Sequence, residues 1–222
     1  MTIKTFFFNP IRVCTYVISE SAEDSKGKHR AFIIDCGCYS DDDRRRLYDY
    51  VESNHLNIIA HLLTHAHLDH VFGVKFVEQQ WGVIPMLHTA DALLLKHIGT
   101  QAMFFGLPFN GDEPDNFLPI DDNEIIDLGF AQAEVIHTPG HTKGGVCFKV
   151  WEQGKNNKPV LFTGDTLFEG SIGRTDLPGG NYSELITSIH NRLLTLDDDI
   201  EIYPGHGLTS TIGEERRHNA YL

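Results

Sequence analysis

With 222 residues, 41% of them apolar, the chain is long enough to bury a substantial core in a single domain. Thirty-one acidic against 18 basic residues leave a formal charge of -13, which repels a phosphate backbone and makes nucleic acid an unexpected partner. The apolar opening "MTIKTFFFNPIRVCTYVI" is interrupted at Asn9, Pro10 and Arg12 before a signal-peptide core is complete, and no run reaches the ~18 apolar residues of a membrane span. A soluble, cytoplasmic protein without a membrane partner is expected. The four cysteines include "CGC", which lacks the two-residue gap of a redox or zinc-knuckle pair, so they read as ordinary reduced thiols.

In chain order, the β-rich runs "CTYVI" and "AFIID" flank a polar stretch at 19–30 that reads as a hairpin loop. Helical periodicity follows over 43–54, and the apolar run "NIIAHLL" then reads as a buried strand. Further helices are predicted over 73–81, over 90–105 with Thr89 as its cap, and over 182–196. Between the last two, "VCFKVW" and "VLFTGD" flank a second polar loop at 152–159, again as a hairpin. No repeat, low-complexity tract or linker divides the chain, so one mixed α/β domain over 1–222 is expected. Five strand-like runs end in polar clusters, "FIIDCG", "LLTHAHLDH", "EVIHTPGHT", "LFTGDT" and "EIYPGHG", where a rigid scaffold presents chemistry.

The densest cluster is "THAHLDH" at 64–70. On an extended segment side chains at i and i+2 share a face, so His65, His67 and Asp69 converge while His70 turns toward a neighbouring point. One segment can then feed two adjacent metals, and imidazole with carboxylate suits zinc or a similar divalent ion. More ligands are needed, and later strand ends offer them: His141 in "TPGHT", Asp165 in "FTGDT" and His206 in "YPGHG". Each stands beside Gly or Pro, which lets a tight turn bring a short side chain inward.

The order "THAHLDH", "HTPGHTKGG", "LFTGDTLF", "YPGHG" resembles the metallo-β-lactamase superfamily, and with the opening "FFFNPIRVCTYVI" and "AFIIDCG" the likeness covers nearly the whole chain. Within it, "GDTLFEGSIGRTDLPGG" and "PGHGLTSTIGEERRHNAYL" are similar to the small glyoxalase II-like (hydroxyacylglutathione hydrolase-like) thioester hydrolases. The resemblance implies a four-layer αββα sandwich. It also implies two divalent metal ions, zinc first and iron or manganese as substitutes. His65, His67 and His141 would hold one, Asp69, His70 and His206 the other, and Asp165 would bridge them. Asp69 and Asp165 are then the catalytic carboxylates. A water shared by two such ions ionises near neutral pH and attacks the thioester carbonyl.

Around these ligands, Asp35, Thr64, Thr138 and Thr166 are candidates to orient imidazoles, and His61 and His137 to support them. Arg174 and Asp176 in "GRTD" read as a pair that fixes a loop. Substrate contacts are assigned to Lys143, which suits an anionic thiol such as glutathione, and to Phe105 and Phe109 in the apolar stretch "MFFGLPF" of the 90–119 segment. Only residues 207–222 follow His206, so the C-terminal helical glutathione-binding domain of full-length glyoxalase II is not expected and thiol selectivity should be broad. Two other classes compete. Persulfide dioxygenases share the scaffold and the "GRTD" loop, and would place one iron at His65, His141 and Asp165, but they end in "PAHD" where this chain has "PGHG". A hydrolase of another ester or lactone, or a metal-bound partner-binding protein without turnover, completes the field.

Overall fold

The computed structural model describes residues 1–23, 27–109, 113–114, 116–155 and 157–222. They form two compact units, residues 1–87 with 92–119, and residues 88–91 with 120–222. Among the described residues no helix is long and apolar enough to cross a membrane.

The first unit is built on a six-stranded sheet in sequence order: β1 (Thr2–Phe8), β2 (Val13–Ser19), β3 (His29–Ile34), β4 (Leu56–Leu62), β5 (Pro85–His88) and β6 (Leu118–Ile120). β2 is buried along its whole length, as "VCTYVIS" requires of a strand covered on both faces. β2 and β3 form the antiparallel hairpin expected around 19–30, whereas β3, β4 and β5 run parallel. The crossover from β3 to β4 is α1 (Asp41–Ser53), which starts two residues before the predicted point. Ser40 and Asp43 make a reciprocal capping box there, and Asp41, Asp42 and Asp43 complement the helix dipole. Its Leu47 and Val51 pack with Phe8, Val17 and Ile33. A short α2 (Leu68–Val71) leads into α3 (Val74–Trp81), which stops at Gly82 in the left-handed conformation.

The helix predicted over 90–105 is not continuous. Thr89–Asp91 is a 3-10 turn, so Thr89 lies inside a turn rather than at the cap of a long helix, and α4 (Ala92–Lys96) and α5 (Ile98–Phe104) are separated by His97, whose φ of -117° and ψ of 31° lie outside the helical well. The apolar face of α5, Ile98 and Ala102, packs on Leu63, Leu68 and Val71.

The second unit carries β7 (Ile125–Asp127), β8 (Ala131–His137), β9 (Val146–Glu152), β10 (Val160–Gly164), the small ribbon β11 (Leu167–Phe168) and β12 (Ser171–Ile172), then β13 (Glu201–Pro204) and β14 (Ser210–Thr211). Its main sheet has the order β14-β13-β10-β9-β8-β7. β9 and β10 are the second expected hairpin, and β10 pairs parallel with β13. α6 (Tyr182–Ser188) is capped by Asn181 and passes into a π-helical turn over Ile189–Leu193, so the helix predicted to 196 ends three residues early. α7 (Ile212–His218) closes the chain, and Leu185, Ile189, Leu193, Ile202 and Ile212 form the core between helices and sheet.

Candidate metal centre

In the first unit, strand direction decides where the site residues meet. β3 and β4 are parallel neighbours with Ile34 opposite Leu62, so the segments that leave their carboxyl ends emerge side by side. Asp35 turns immediately, at a φ of +53°, a conformation Asp tolerates better than most side chains. Thr15 holds that turn: its hydroxyl donates to the Asp35 carbonyl at 2.5 Å and accepts from the Gly37 N–H at 2.9 Å. Gly37 has no room for a side chain, since a Cβ there would stand 2.1 Å from Val13 Cγ1 and 2.7 Å from the Asp69 carbonyl. The glycine of "CGC" is therefore a packing requirement.

The buried Asp35 carboxylate organises the 64–70 loop. It accepts from Thr64 N–H at 2.8 Å, from the Thr64 hydroxyl at 2.6 Å and from His70 Nδ1 at 2.9 Å. Because the Thr64 hydroxyl proton goes to Asp35, its oxygen receives the proton of His65 Nδ1, 3.1 Å away. Both imidazoles thus carry their proton on Nδ1, and Nε2 holds the lone pair that can bind a metal. One ligand atom each from Asp35, His65 and His70 lies within 4.8 Å of the others. His67 and His65 are neighbours, with ring centroids 4.9 Å apart and nearly perpendicular planes.

The expected i, i+2 register holds for His65 and His67 but not beyond. The chain turns helical at Leu68, so Asp69 and His70 are successive positions of α2 and splay by about 100°. His70 Nε2 nevertheless stands 3.4 Å from Asp69 Oδ2. Asn9, in the turn after β1, donates to the carbonyls of Asp69 at 3.1 Å and Gly37 at 3.2 Å. Fully buried His61 supports the same turn by accepting the Cys36 N–H at 3.3 Å. All four cysteines are buried and outside any disulfide among the described residues, and burial raises the thiols of Cys38 and Cys147, the latter to about 11, which disfavours thiolate chemistry.

The second unit gathers the other three candidate ligands at one end of its sheet. Gly164 and Pro204 pair across the parallel strands β10 and β13, and Gly205 N–H donates to the Gly164 carbonyl at 2.8 Å. Asp165 and His206 therefore leave the sheet together. Since β9 is antiparallel to both β10 and β8, the loop after His137 emerges at that end too and brings His141. One carboxylate oxygen, Asp165 Oδ2, lies 3.5 Å from His141 Nε2 and 3.7 Å from His206 Nε2. His141 Nδ1 donates to the Arg174 carbonyl at 2.6 Å, so its Nε2 also keeps the lone pair.

That carbonyl reaches His141 because residue 173 is glycine; a Cβ there would sit 1.8 Å from the Asp165 carbonyl oxygen. The side chain of Arg174 points elsewhere and forms the expected bidentate pair with Asp176, both bonds 2.7 Å, which holds the Asp176 carboxyl down at about 2. Thr138 and Thr166 hydrogen-bond to each other at 2.9 Å beneath the loops. Buried Asp91 accepts the Thr142 hydroxyl at 2.8 Å and the Gly144 N–H at 2.7 Å, clamping the loop just after His141. His137, stacked on His88 with centroids 4.1 Å apart, bonds through Nε2 to the Lys143 carbonyl at 2.9 Å.

Of the substrate candidates, the Lys143 side chain is exposed and Phe105 is half exposed at the end of α5, while Phe109 packs against the cluster of Leu68 and Phe72. Thr15, Asn9 and Asp91 carry no motif that marks them in the sequence. The donor set, imidazoles with Nδ1 engaged and Nε2 beside carboxylates, fits divalent metal in both units.

Residues 15–206 match the family model described as the metallo-beta-lactamase superfamily. The chain belongs to that superfamily. The hydroxyacylglutathione hydrolase GloC of Haemophilus influenzae is 43% identical over 197 residues, covering 86% of this chain and 87% of that protein. Among solved structures, the BLEG-1 B3 metallo-beta-lactamase matches with a TM-score of 0.83 at 33% identity, covering 100% of this chain and 99% of that one. TTHA1623 in a di-iron-bound form gives 0.81 at 30% identity, with 99% and 100% covered. The fold is accordingly the metallo-β-lactamase fold, and the chain is a metallo-hydrolase homologue of the glyoxalase II-like subgroup.

Proposed function

We propose that the protein is a dinuclear, zinc-dependent thioester hydrolase acting on S-lactoylglutathione-type substrates. The observation that carries this reading is the anchoring of His65, His70 and His141 through Nδ1, which presents Nε2 of His70 and His141 beside Asp69 and Asp165. The 43% identity to GloC supports the substrate class. The superfamily pattern assigns His65, His67 and His141 to one ion, Asp69, His70 and His206 to the other, and Asp165 to both. When bound, two divalent ions supply Lewis acidity toward the thioester carbonyl and lower the pKa of water toward ~7.

The chain's own residues do the rest. Asp35 and Thr64 fix two imidazole rings, so ligand geometry is set before substrate arrives. Asp69, its backbone carbonyl tied to Asn9, orients the attacking water. Asp165 presents a single oxygen toward two histidines, the arrangement a bridging carboxylate needs. The exposed ammonium of Lys143 is available to an anionic thiol, a screened contact worth about 1 kcal/mol or less.

Metal analysis combined with thiol release tests the reading. Protein purified without added metal should contain about two equivalents of divalent ion and release thiol from S-lactoylglutathione, and Asp165→Ala should lose both metal and rate. One iron per chain, with oxygen uptake on a persulfide and no thioester cleavage, would overturn it.

A further inference from the structure

We propose that Gln101 is a positioning residue for the ligand His67, an inference that rests on the metal-centre reading above. Gln101 lies on α5, 35 positions from Ala66, and its amide brackets His67 on both sides. Its Nε2 donates to the Ala66 carbonyl at 3.0 Å, and its Oε1 accepts the Leu68 N–H at 3.0 Å. The residues before and after the ligand are thus read by one planar group, as a neighbouring strand would read them. The second amide hydrogen goes to the Leu94 carbonyl at 3.0 Å. That bond orients the group, because two carbonyls on the nitrogen side and one N–H on the oxygen side allow a single assignment of amide nitrogen and oxygen.

The arrangement answers a conflict in the local sequence. His67 occupies the N-cap position of α2, where a side chain ordinarily turns back to take an orphan N–H of the first turn. The His67 side chain makes no capping bond, with φ at -69° and ψ at 147°. Gln101 takes the first of those N–H groups, that of Leu68, from outside the turn. The apolar contact of Ile98 and Ala102 with Leu68 and Val71 holds α5 at the distance the amide needs.

Gln101→Met keeps length and volume but removes all three hydrogen bonds. Gln101→Glu keeps the acceptor for Leu68 N–H and withdraws only the donors. Chelator-stripped full-length protein is titrated with Zn2+ against a chromophoric chelator, Co2+ absorption is recorded, and urea unfolding of the metal-free protein is measured in parallel. In Gln101→Met one of two equivalents should bind about tenfold or more weakly, the other as in wild type, with an altered Co2+ spectrum and a smaller change in metal-free stability. Gln101→Glu should move in the same direction. Both equivalents binding as in wild type, or both weakening together with metal-free stability, would overturn the assignment and leave a purely structural glutamine. Wild-type protein that binds no metal would instead sink the metal-centre reading itself.

Discussion

Replacing His61 by Gln should flatten the acid side of the protein's stability profile. His61 lies in β4 and is fully buried, and its Nε2 accepts the Cys36 N–H, so the ring proton sits on Nδ1, which has no hydrogen-bond partner among the described residues. Burial therefore opposes a second proton and lowers the His61 pKa from 6.5 to about 3. A folded-state pKa below the unfolded value means that the unfolded chain binds more protons between those two values. The stability contributed by neutral His61 is complete above pH 6.5 and is lost as pH falls from there toward about 3. At ~1.4 kcal/mol per pH unit, lowering pH from 7 to 5 removes about 2 kcal/mol through this one group. The introduced amide could still accept the Cys36 N–H through its carbonyl but does not titrate. Urea unfolding of chelator-treated wild type and His61→Gln at pH 7 and pH 5 isolates the difference, since every other titrating group is common to both. The gap between the two proteins should shift by about 2 kcal/mol in favour of the variant at pH 5. Parallel profiles would refute the buried neutral histidine.

Asp35→Ala should weaken metal binding roughly 10- to 100-fold, because His70 loses its Nδ1 acceptor and Thr64, which holds His65, loses both of its bonds. Asp35→Asn should lose less, since Asn tolerates the left-handed backbone and retains one acceptor; equal affinities in chelator competition would contradict this. Gly173→Ala should destabilise by about 3 kcal/mol or more, as its Cβ would lie 1.8 Å from a backbone oxygen. Gly170→Ala, with nothing within 4 Å and only its left-handed φ of +63° against it, should cost about 1 kcal/mol; thermal melts in the reverse order would disprove the packing account.

The candidate ligands stand out in the sequence because metal binding demands particular side-chain types. His65, His67, Asp69 and His70 crowd into seven positions, and His141, Asp165 and His206 each stand beside a turn-forming residue. Both hairpins and the body of α1 were legible as well, since a turn and a helical period act between residues close in sequence. The break at His97 and the helical turn at Leu68 were not, because segment conformation there yields to contacts with distant residues. Asp35 and Thr64 were legible at strand ends as candidates to orient imidazoles, but which partners they meet, and the roles of Asn9 and Asp91, were hidden for the same reason. Asp35 meets His70 across 35 positions, Asn9 meets Asp69 across 60 and Asp91 meets Gly144 across 53. Asn, Asp and Gln are common turn and surface residues, so type alone marks none of them. Sequence by itself marked which side chains are candidates to bind metal. Tertiary structure decided which nitrogen of His65, His70 and His141 keeps its lone pair, because a ring's proton goes where a distant carboxylate, hydroxyl or carbonyl receives it, and only parallel strands ending side by side bring those groups within reach.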